Sequence, residues 1–593
     1  MRNRVVTQLG VGAALVAAPY AESRTPPQIE RVQVMLEVKR KVRAGKWTIS
    51  AKAMPERGHP ARYGRRGGSR TAPAISLNRV LAIIALMMTA RLLLAATLPI
   101  PRTRSAPPAV PPPEPIALPS PTVRTLPNGL QVLVVERHTL PVLTLRMNIG
   151  AGPEADPSKL PGNAQFAASM YNEGSVHHSA LDLAEQIDGA GGTFDNNSVW
   201  DISSATLTVL ADHADLAFDL MADMTMHPAY ATRDVERIRK QTVSAIEVLH
   251  SDPSYIADAV INQLLLAGTP YGHPADGTLD ATNRLTPRDL AAFHAATYRP
   301  GRSVLAVVGD ITPAAAFDLA QRDFGGWGSS TTTQGSSGES AAGSATEAPA
   351  GAGNSGNSAP RWQTAATAPG TTRIVIVDKP DAVQTEIRVG FPGIPRSSPD
   401  YLALTVANQI LGGPASNRLF SDLRGEHGLT YSASSDLDCY LTTGVWVAKT
   451  STRTAQTTKA VQRVLEEMKQ MRARPISAIE LQQALDYLIG HQALDFETSA
   501  GIADQFLDLM TYHLPLDTWS AWPDALRKLT LDDIWKATQR YLDPNQATIV
   551  LVGKGSAFEK DMRRLAATRV IPFAQLDLGS PDLERASGGA RGR

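Results

Sequence analysis

At 593 residues the chain exceeds a compact domain of roughly 100–200 residues, which excludes a single small core. Hydrophobic residues make up 43% and charged residues 19%, which excludes a coiled coil or a chain disordered throughout. The net charge of +1 hides an asymmetry: residues 1–79 hold 16 Lys and Arg against 4 Glu, leaving about −11 for the remainder and excluding a global nucleic-acid field.

The start, MRNRVVTQLGVGAALVAAPYA, has the form of a signal peptide flawed by Gln8. A second apolar run, VLAIIALMMTA at 80–90, is followed by Arg91 and LLLAATLPI and approached by Arg65, Arg66, Arg70 and Arg79. It reads as a signal peptide or signal anchor over 79–97, with Ala95 and Ala96 available for cleavage. Arg91 makes it a poor bilayer span, because a charge at mid-membrane costs ~2.5 kcal/mol or more. Two such signals cannot both act. Residues 1–78 are therefore expected to be a basic extension, either disordered or read from an upstream start, and the mature chain is expected to be periplasmic or exported, with anchoring through 80–100 as the variant.

A Pro-rich tether over 98–121 contains SAPPAVPPPEPIALPSP. A Gly/Ser/Ala linker over 328–360 has almost no large apolar residues and cannot bury enough surface to fold. These segments isolate two blocks, 122–327 and 361–578, followed by a tail at 579–593.

The blocks repeat each other. The first ends with Leu285-Thr286-x-x-Asp289-Leu290, a helical stretch, Tyr298, Pro300, and an apolar run at 304–308 closed by Gly309. The second ends with Leu529-Thr530-x-x-Asp533-Ile534, a helical stretch, Tyr541, Pro544, and an apolar run at 548–552 closed by Gly553, an offset of 244. The entries correspond as well, 130–135 with 373–377 and 143–149 with 386–391. Between the short β-branched runs, helical periodicity marks 180–190, 212–224, 233–250, 400–411, 455–471 and 478–494. Helices grouped between strands, without strict alternation, predict α+β lobes, each a mostly antiparallel sheet with helices stacked on one face, together forming a two-lobed clamshell.

Cys439 is the only cysteine, so intramolecular disulfides and thiolate metal clusters are excluded, and zinc would need His and carboxylates. Three segments carry a family resemblance: LPNGLQVLVVERHTLPVLTLRMNIGAG, PYGHPADGTLDATNRLTPRDLAAFHAATYRPGRSVLAVVGD, and ILGGPASNRLFSDLRGEHGLTYS at 410–432. On these the chain resembles the insulinase/pitrilysin (M16) family of zinc peptidases over nearly all of 122–578. Active members carry His-x-x-Glu-His on a helix of the first half and a further Glu ligand 75 to 80 residues downstream. Positions i and i+4 share a helix face, and Glu at i+3 lies beside them to deprotonate a metal-bound water.

In this chain Gln165 and Ser169 stand where the resemblance places the histidines, and Ala168 replaces the base. Glu247, 78 residues past Ser169, matches the downstream ligand, but one carboxylate cannot hold a catalytic zinc. The alternative for Glu247 is an ordinary helix-face carboxylate. His177 and His178 read as solvated loop residues. The resemblance further implies that Arg424 and Tyr431 match an Arg and a Tyr that bind peptide and stabilise the oxyanion in a site whose zinc lies on the opposite half. Their bland reading is a carbonyl cap and a packed strand start. Gly192, Asn196 and Asn197 fall in a segment that resembles the family's glycine-led edge strand, along which an extended substrate can pair, the alternative being an ordinary turn entering a strand.

A missing metal motif beside an intact Arg/Tyr pair resembles the non-catalytic subunit of two-subunit bacterial members. The expectation is a chain that binds no metal or other cofactor itself. Its expected partners are a peptide substrate and a homologous zinc-bearing subunit with an intact His-x-x-Glu-His motif, and no nucleic acid. The alternatives are a catalytically silent scaffold or peptide-binding protein, and a stand-alone zinc peptidase with a non-standard site.

Overall fold

The computed structural model describes residues 36–38, 49–51, 118–328, 371–414 and 417–585. The expectations for the signal segment 79–97, and for most of the 1–78 extension, the tether and the linker, lie outside those residues. Residues 1–108 form a unit of their own, whose described part is one antiparallel pair, β1 (Leu36–Val38) with β2 (Ile49–Ala51). Both repeated blocks belong to the second unit, 109–593.

The first block builds a six-stranded sheet from β3 (Thr122–Thr125), β4 (Gln131–Glu136), β5 (Val142–Ile149), β6 (Thr193–Val199), β7 (Ile202–Leu210) and β8 (Ser303–Gly309), in the order β3-β4-β8-β5-β7-β6. The second uses β9 (Arg373–Asp378), β10 (Gln384–Pro392), β11 (Ala433–Cys439), β12 (Gly444–Arg453), β13 (Thr548–Gly553) and β14 (Ala567–Pro572), in the order β11-β12-β10-β13-β9-β14. Strand for strand, β4-β8-β5-β7-β6 repeats as β9-β13-β10-β12-β11. The first pairing is parallel in each and the next three are antiparallel. Only the sixth strand breaks the symmetry, since β3 runs antiparallel to β4 while β14 runs parallel to β9. The α+β class follows directly from these two sheets and their helices.

The helices Ala180–Gly189, Ala214–Met226, Thr232–Leu249, Tyr401–Gly412, Thr457–Ala473 and Ala478–Asp495 each lie within two residues of the range that periodicity predicts. The repeated motif also has a local cause. Thr286 and Asp289 form a capping box on the helix Pro287–Thr297, and Thr530 and Asp533 form the same box on Leu531–Tyr541. In both, the hydroxyl lies 2.6 Å from the carboxylate. Each box answers two orphan backbone N–H groups at its helix start. The repeated closing glycine is steric: a Cβ at Gly309 would overlap the Val142 carbonyl oxygen, and one at Gly553 would meet Thr385 Oγ1 at 2.7 Å.

Each sheet is covered on its second face by a helix from the other block, which the expected one-face stacking did not include. Pro253–Leu265 of the first block packs on β10 and β13, where Ile256, Val260 and Ile261 meet Val375, Val550 and Val552. Ser499–Thr511 of the second block packs on β5 and β8, with Ile502, Ala503 and Phe506 against Leu133, Ala306 and Val308. The strands β4, β8, β9 and β13 carry continuous apolar runs because both of their faces are buried. Charged pairs follow the same exchange, Arg388 on β10 with Asp258 and Arg146 on β5 with Asp504, both at 2.8 Å.

The boundary expected at 578 is corrected. Leu578 and Leu583 are buried in the core shared with Pro253–Leu265, and Gln263 Nε2 donates to the Ser580 carbonyl at 2.8 Å. The second block therefore continues into the supposed tail, because a turn bridged between Leu576 and Glu584 returns Leu583 to the core.

Candidate functional site

The degenerate motif occupies a short helix, Asn163–Ala168. Gly162 enters it at φ 91° and lies so close to Gly277 that a Cβ would meet Gly277 Cα at 2.6 Å. Asp156 anchors the helix start, accepting the N–H groups of Gly162 at 2.6 Å and Ala164 at 2.7 Å. Burial pushes its carboxyl up to about 8 in spite of those donors. Ala164, Phe166, Ala167 and Ala168 are buried, while Gln165 and Ser169, four residues apart on one face, are half-buried. Ser169 Oγ donates to the Phe166 carbonyl at 2.7 Å. The Gln165 side chain has no hydrogen bond to a described residue.

Glu247 is exposed near the end of Thr232–Leu249. It opens onto a cavity of about 1020 Å³ shared with Pro161, His250, Arg284 and part of the 573–585 segment, but with none of Gln165, Ala168 or Ser169. An amide, a methyl and a hydroxyl already used as a donor do not make a zinc site, so the residues present do not fit the family's metal. Among the described residues, one set of three ligand-type groups has its atoms within 4.8 Å of one another: Asp422, Glu426 and His427, in the other block. Asp422 there is held by the Arg463 guanidinium, with Nε at 3.0 Å.

Arg424 and Tyr431 are brought together. Asn417 caps the turn Arg418–Phe420, accepting the Phe420 N–H at 2.7 Å, and the chain continues as a π-helical turn, Ser421–Glu426, that carries Arg424. The guanidinium lies 4.5 Å over the Tyr431 ring and 5.0 Å over Phe420, and Nη1 donates to the Tyr431 carbonyl at 3.0 Å. That bond is the carbonyl cap of the bland reading. Tyr431, however, is 81% exposed, so it does not pack at the strand start. Thr450 Oγ1 donates to the Ser432 carbonyl at 2.9 Å and Thr452 Oγ1 to the Leu429 carbonyl at 2.7 Å, pinning the loop on either side of the tyrosine. Among the described residues, the Arg424 side chain bonds and stacks with Tyr431 and stacks over Phe420, and neither Arg424 nor Tyr431 contacts the motif helix in this way.

The predicted substrate strand is β6, the edge of the first sheet, paired with β7 alone among the described strands. Gly192 stands just before it, where a Cβ would meet the Ile187 and Thr208 carbonyls at 2.9 Å. Asn196 is half-buried and Asn197 exposed, and neither side chain bonds a described residue. The motif helix packs on β6 and β7, so these two features are neighbours.

His177 and His178 are not simply solvated. Nδ1 of His177 lies 2.6 Å from Asp223 Oδ1 and Nδ1 of His178 lies 2.9 Å from Asp223 Oδ2, while Ser175 Oγ also donates to this buried carboxylate. A tight turn, bridged between Gly174 and Ser179, lets the two adjacent rings converge. The sequence signal was available: Asp223 falls among the apolar positions of Ala214–Met226, and a buried carboxylate needs partners. Asp201, between β6 and β7, was likewise missed. Its carboxylate accepts from Tyr271 OH at 2.5 Å and from the Leu441 N–H of the second block at 2.8 Å.

Comparison with known proteins decides the family. Residues 131–278 match the model described as insulinase (peptidase family M16), and 284–488 match the peptidase M16 inactive domain. The chain belongs to the M16 peptidase family. It is similar to an uncharacterized zinc protease of Mycobacterium leprae (strain TN), 27% identical over 54% of this chain and 66% of that one, so the chain spans about two thirds of that relative. It is also similar to a non-peptidase homolog of Helicobacter pylori, 22% identical over 71% of this chain and 91% of that one. Among solved structures it matches a peptidase M16 inactive domain from Pseudomonas fluorescens at TM-score 0.63 and 26% identity, covering 73% of this chain and 98% of that one. The M16 relatives thus include proteins named as proteases and as non-peptidases, and the fold of this chain is theirs. Among the described residues no helix is long and apolar enough to cross a membrane.

Proposed function

We propose that this M16 chain is the non-catalytic subunit of an exported peptidase, binding peptide and presenting Arg424 and Tyr431 to a zinc held by a homologous partner. The observation that carries the reading is the exposed Arg424–Tyr431 stack, pinned from both sides and, among the described residues, in contact with no residue of the motif helix. A Tyr hydroxyl can donate to a developing oxyanion, and a guanidinium can hold a peptide carbonyl or carboxylate. The edge of β6 offers main-chain pairing to an extended peptide. The chain alone hydrolyses nothing, because Gln165, Ala168 and Ser169 supply neither a metal site nor a base.

The test mixes the chain with a homologous subunit bearing His-x-x-Glu-His and follows a quenched fluorescent peptide. Tyr431→Phe lowers kcat on the order of 10²-fold with assembly unchanged, since it removes a donor used mainly in the transition state. Arg424→Ala also raises KM. Full activity with both variants would move the weight to a catalytically silent scaffold.

A further inference from the structure

Where the starts of β9 and β13 meet the end of β10, the C-terminal ends of three helices converge: Pro253–Leu265, Thr457–Ala473 and Leu531–Tyr541. Between them lies a cavity of about 440 Å³. Three guanidinium groups line it, Arg373, Arg472 and Arg540, against one carboxylate, Asp543. Helix C-termini carry partial negative charge, and capping accounts for part of this. Arg373 Nη2 donates to the Leu264 carbonyl at 2.9 Å, and Arg472 Nη1 donates to the Gln539 carbonyl.

Capping explains where these side chains sit but not their surplus of donors. A guanidinium carries five N–H groups. Arg373 uses two of its nitrogens, Nη2 and Nε, the latter on Thr548 Oγ1 at 3.0 Å. No described carboxylate lies within ion-pair range of Arg373, and burial alone pulls its pKa down. Arg472 has only a loose pair with Asp543 at 3.7 Å, and Arg540 reaches out to Asp400 at 2.9 Å. A half-buried cation without an anion is costly, so the site favours whatever supplies one. Phe391, Pro392 and Leu265 give the same cavity an apolar wall.

We propose that this cavity binds a small organic oxyanion, a phosphate or a carboxylate, clamped by Arg373 and Arg472 with Arg540 at the rim and its apolar part against Phe391 and Pro392. Neither Arg424 nor Tyr431 lines the cavity, so the site is independent of the proposed peptidase role. Because Leu265 belongs to the first block, an occupant would bridge the two blocks and raise the stability of the whole chain by mass action.

Calorimetric titration of the full chain at fixed ionic strength tests this with inorganic phosphate, phenyl phosphate and benzoate. One saturable site per chain is expected, with phenyl phosphate tighter than inorganic phosphate. The benzoate arm tells a carboxylate site from a phosphate site. Arg373→Gln and Arg472→Gln should each weaken binding about tenfold or more, with the exposed Arg563→Gln as an unchanged control. Should Arg373→Gln fail to fold, Arg540→Gln, altered at an exposed side chain, must still weaken binding. No saturable binding of any probe at millimolar concentration, or equal binding by wild type and every cavity variant, overturns the proposal.

Discussion

Arg388→Met attacks the helix exchange at its most buried charge. The Arg388 side chain is 3% exposed, with Nε on Asp258 Oδ1 at 2.8 Å, Nη2 on Ser254 Oγ at 2.8 Å and Nη1 on Glu386 Oε2 at 3.1 Å. Methionine fills much of the volume but leaves the two carboxylates facing the interface between β10 and the helix Pro253–Leu265. Stranding buried charge in this way costs ~3–5 kcal/mol. Asp258 is itself 34% exposed and Lys449 Nζ lies 3.3 Å from it, and both offset part of the cost, so the low end, about 3 kcal/mol, is expected. The pseudo-symmetric Arg146→Met breaks a pair whose Asp504 is half exposed, and should cost about 1 kcal/mol or less. Urea unfolding of the full chain, followed by tryptophan fluorescence, compares the two. Adding Asp258→Leu to Arg388→Met should recover part of the loss, since it removes one stranded partner. Equal stability of the two single variants would refute the claim that burial, not pairing alone, sets the value of these contacts.

Gly309→Ala should destabilise by about 3 kcal/mol, because φ is 150° and the new Cβ meets backbone, whereas Gly553→Ala meets chiefly a hydroxyl and should cost about 1 kcal/mol; thermal melts separate them. The segment 174–179 should dock most firmly between about pH 4 and 6.5, the unfolded values of Asp and His. Hydrogen bonding to Asp223 raises His177, so that contribution fades as pH rises through the raised value. Burial pushes the Asp223 carboxyl up, but hydrogen bonds from His177, Ser175 and His178 outweigh it and leave it low, so its contribution is lost as pH falls through the lowered value. Asp223→Asn should remove most of this pH dependence in hydrogen exchange of residues 174–179, the remainder coming from Asp219, which also raises His177.

The repeat was legible because its markers are local: a capping box, an apolar strand and a closing glycine each have a mechanism confined to a few residues. The six helices followed from period alone. Helix exchange was not visible in that way, because nothing in Pro253–Leu265 or Ser499–Thr511 states which sheet it covers. The continuous apolar runs of β9 and β13 did signal a second buried face, without naming its cover. At the site, the residue types of Gln165, Ala168 and Ser169 are read from sequence alone. The Asp223 cluster is not, since His177 and His178 meet it across 45 residues or more of chain.

The motif helix and the Arg424–Tyr431 pair differ in how much local structure supports them, and the difference bears on the proposed function. Around the motif helix the polar groups that remain act on the backbone: Asp156 holds the helix start and Ser169 bonds the Phe166 carbonyl. The Gln165 side chain, at a position that the resemblance assigns to a ligand, is bonded to nothing described. Around Tyr431 the reverse holds, for Asn417, Thr450 and Thr452 fix the backbone on both sides of an aromatic ring left open to solvent. An exposed cation–π pair contributes about 0.5–1 kcal/mol, and a large exposed aromatic ring forgoes its burial. Folding alone therefore gives little reason to hold an open tyrosine so firmly. Under the proposed function such a stack has a use, because a donor held in place beforehand needs no reorganisation when charge develops.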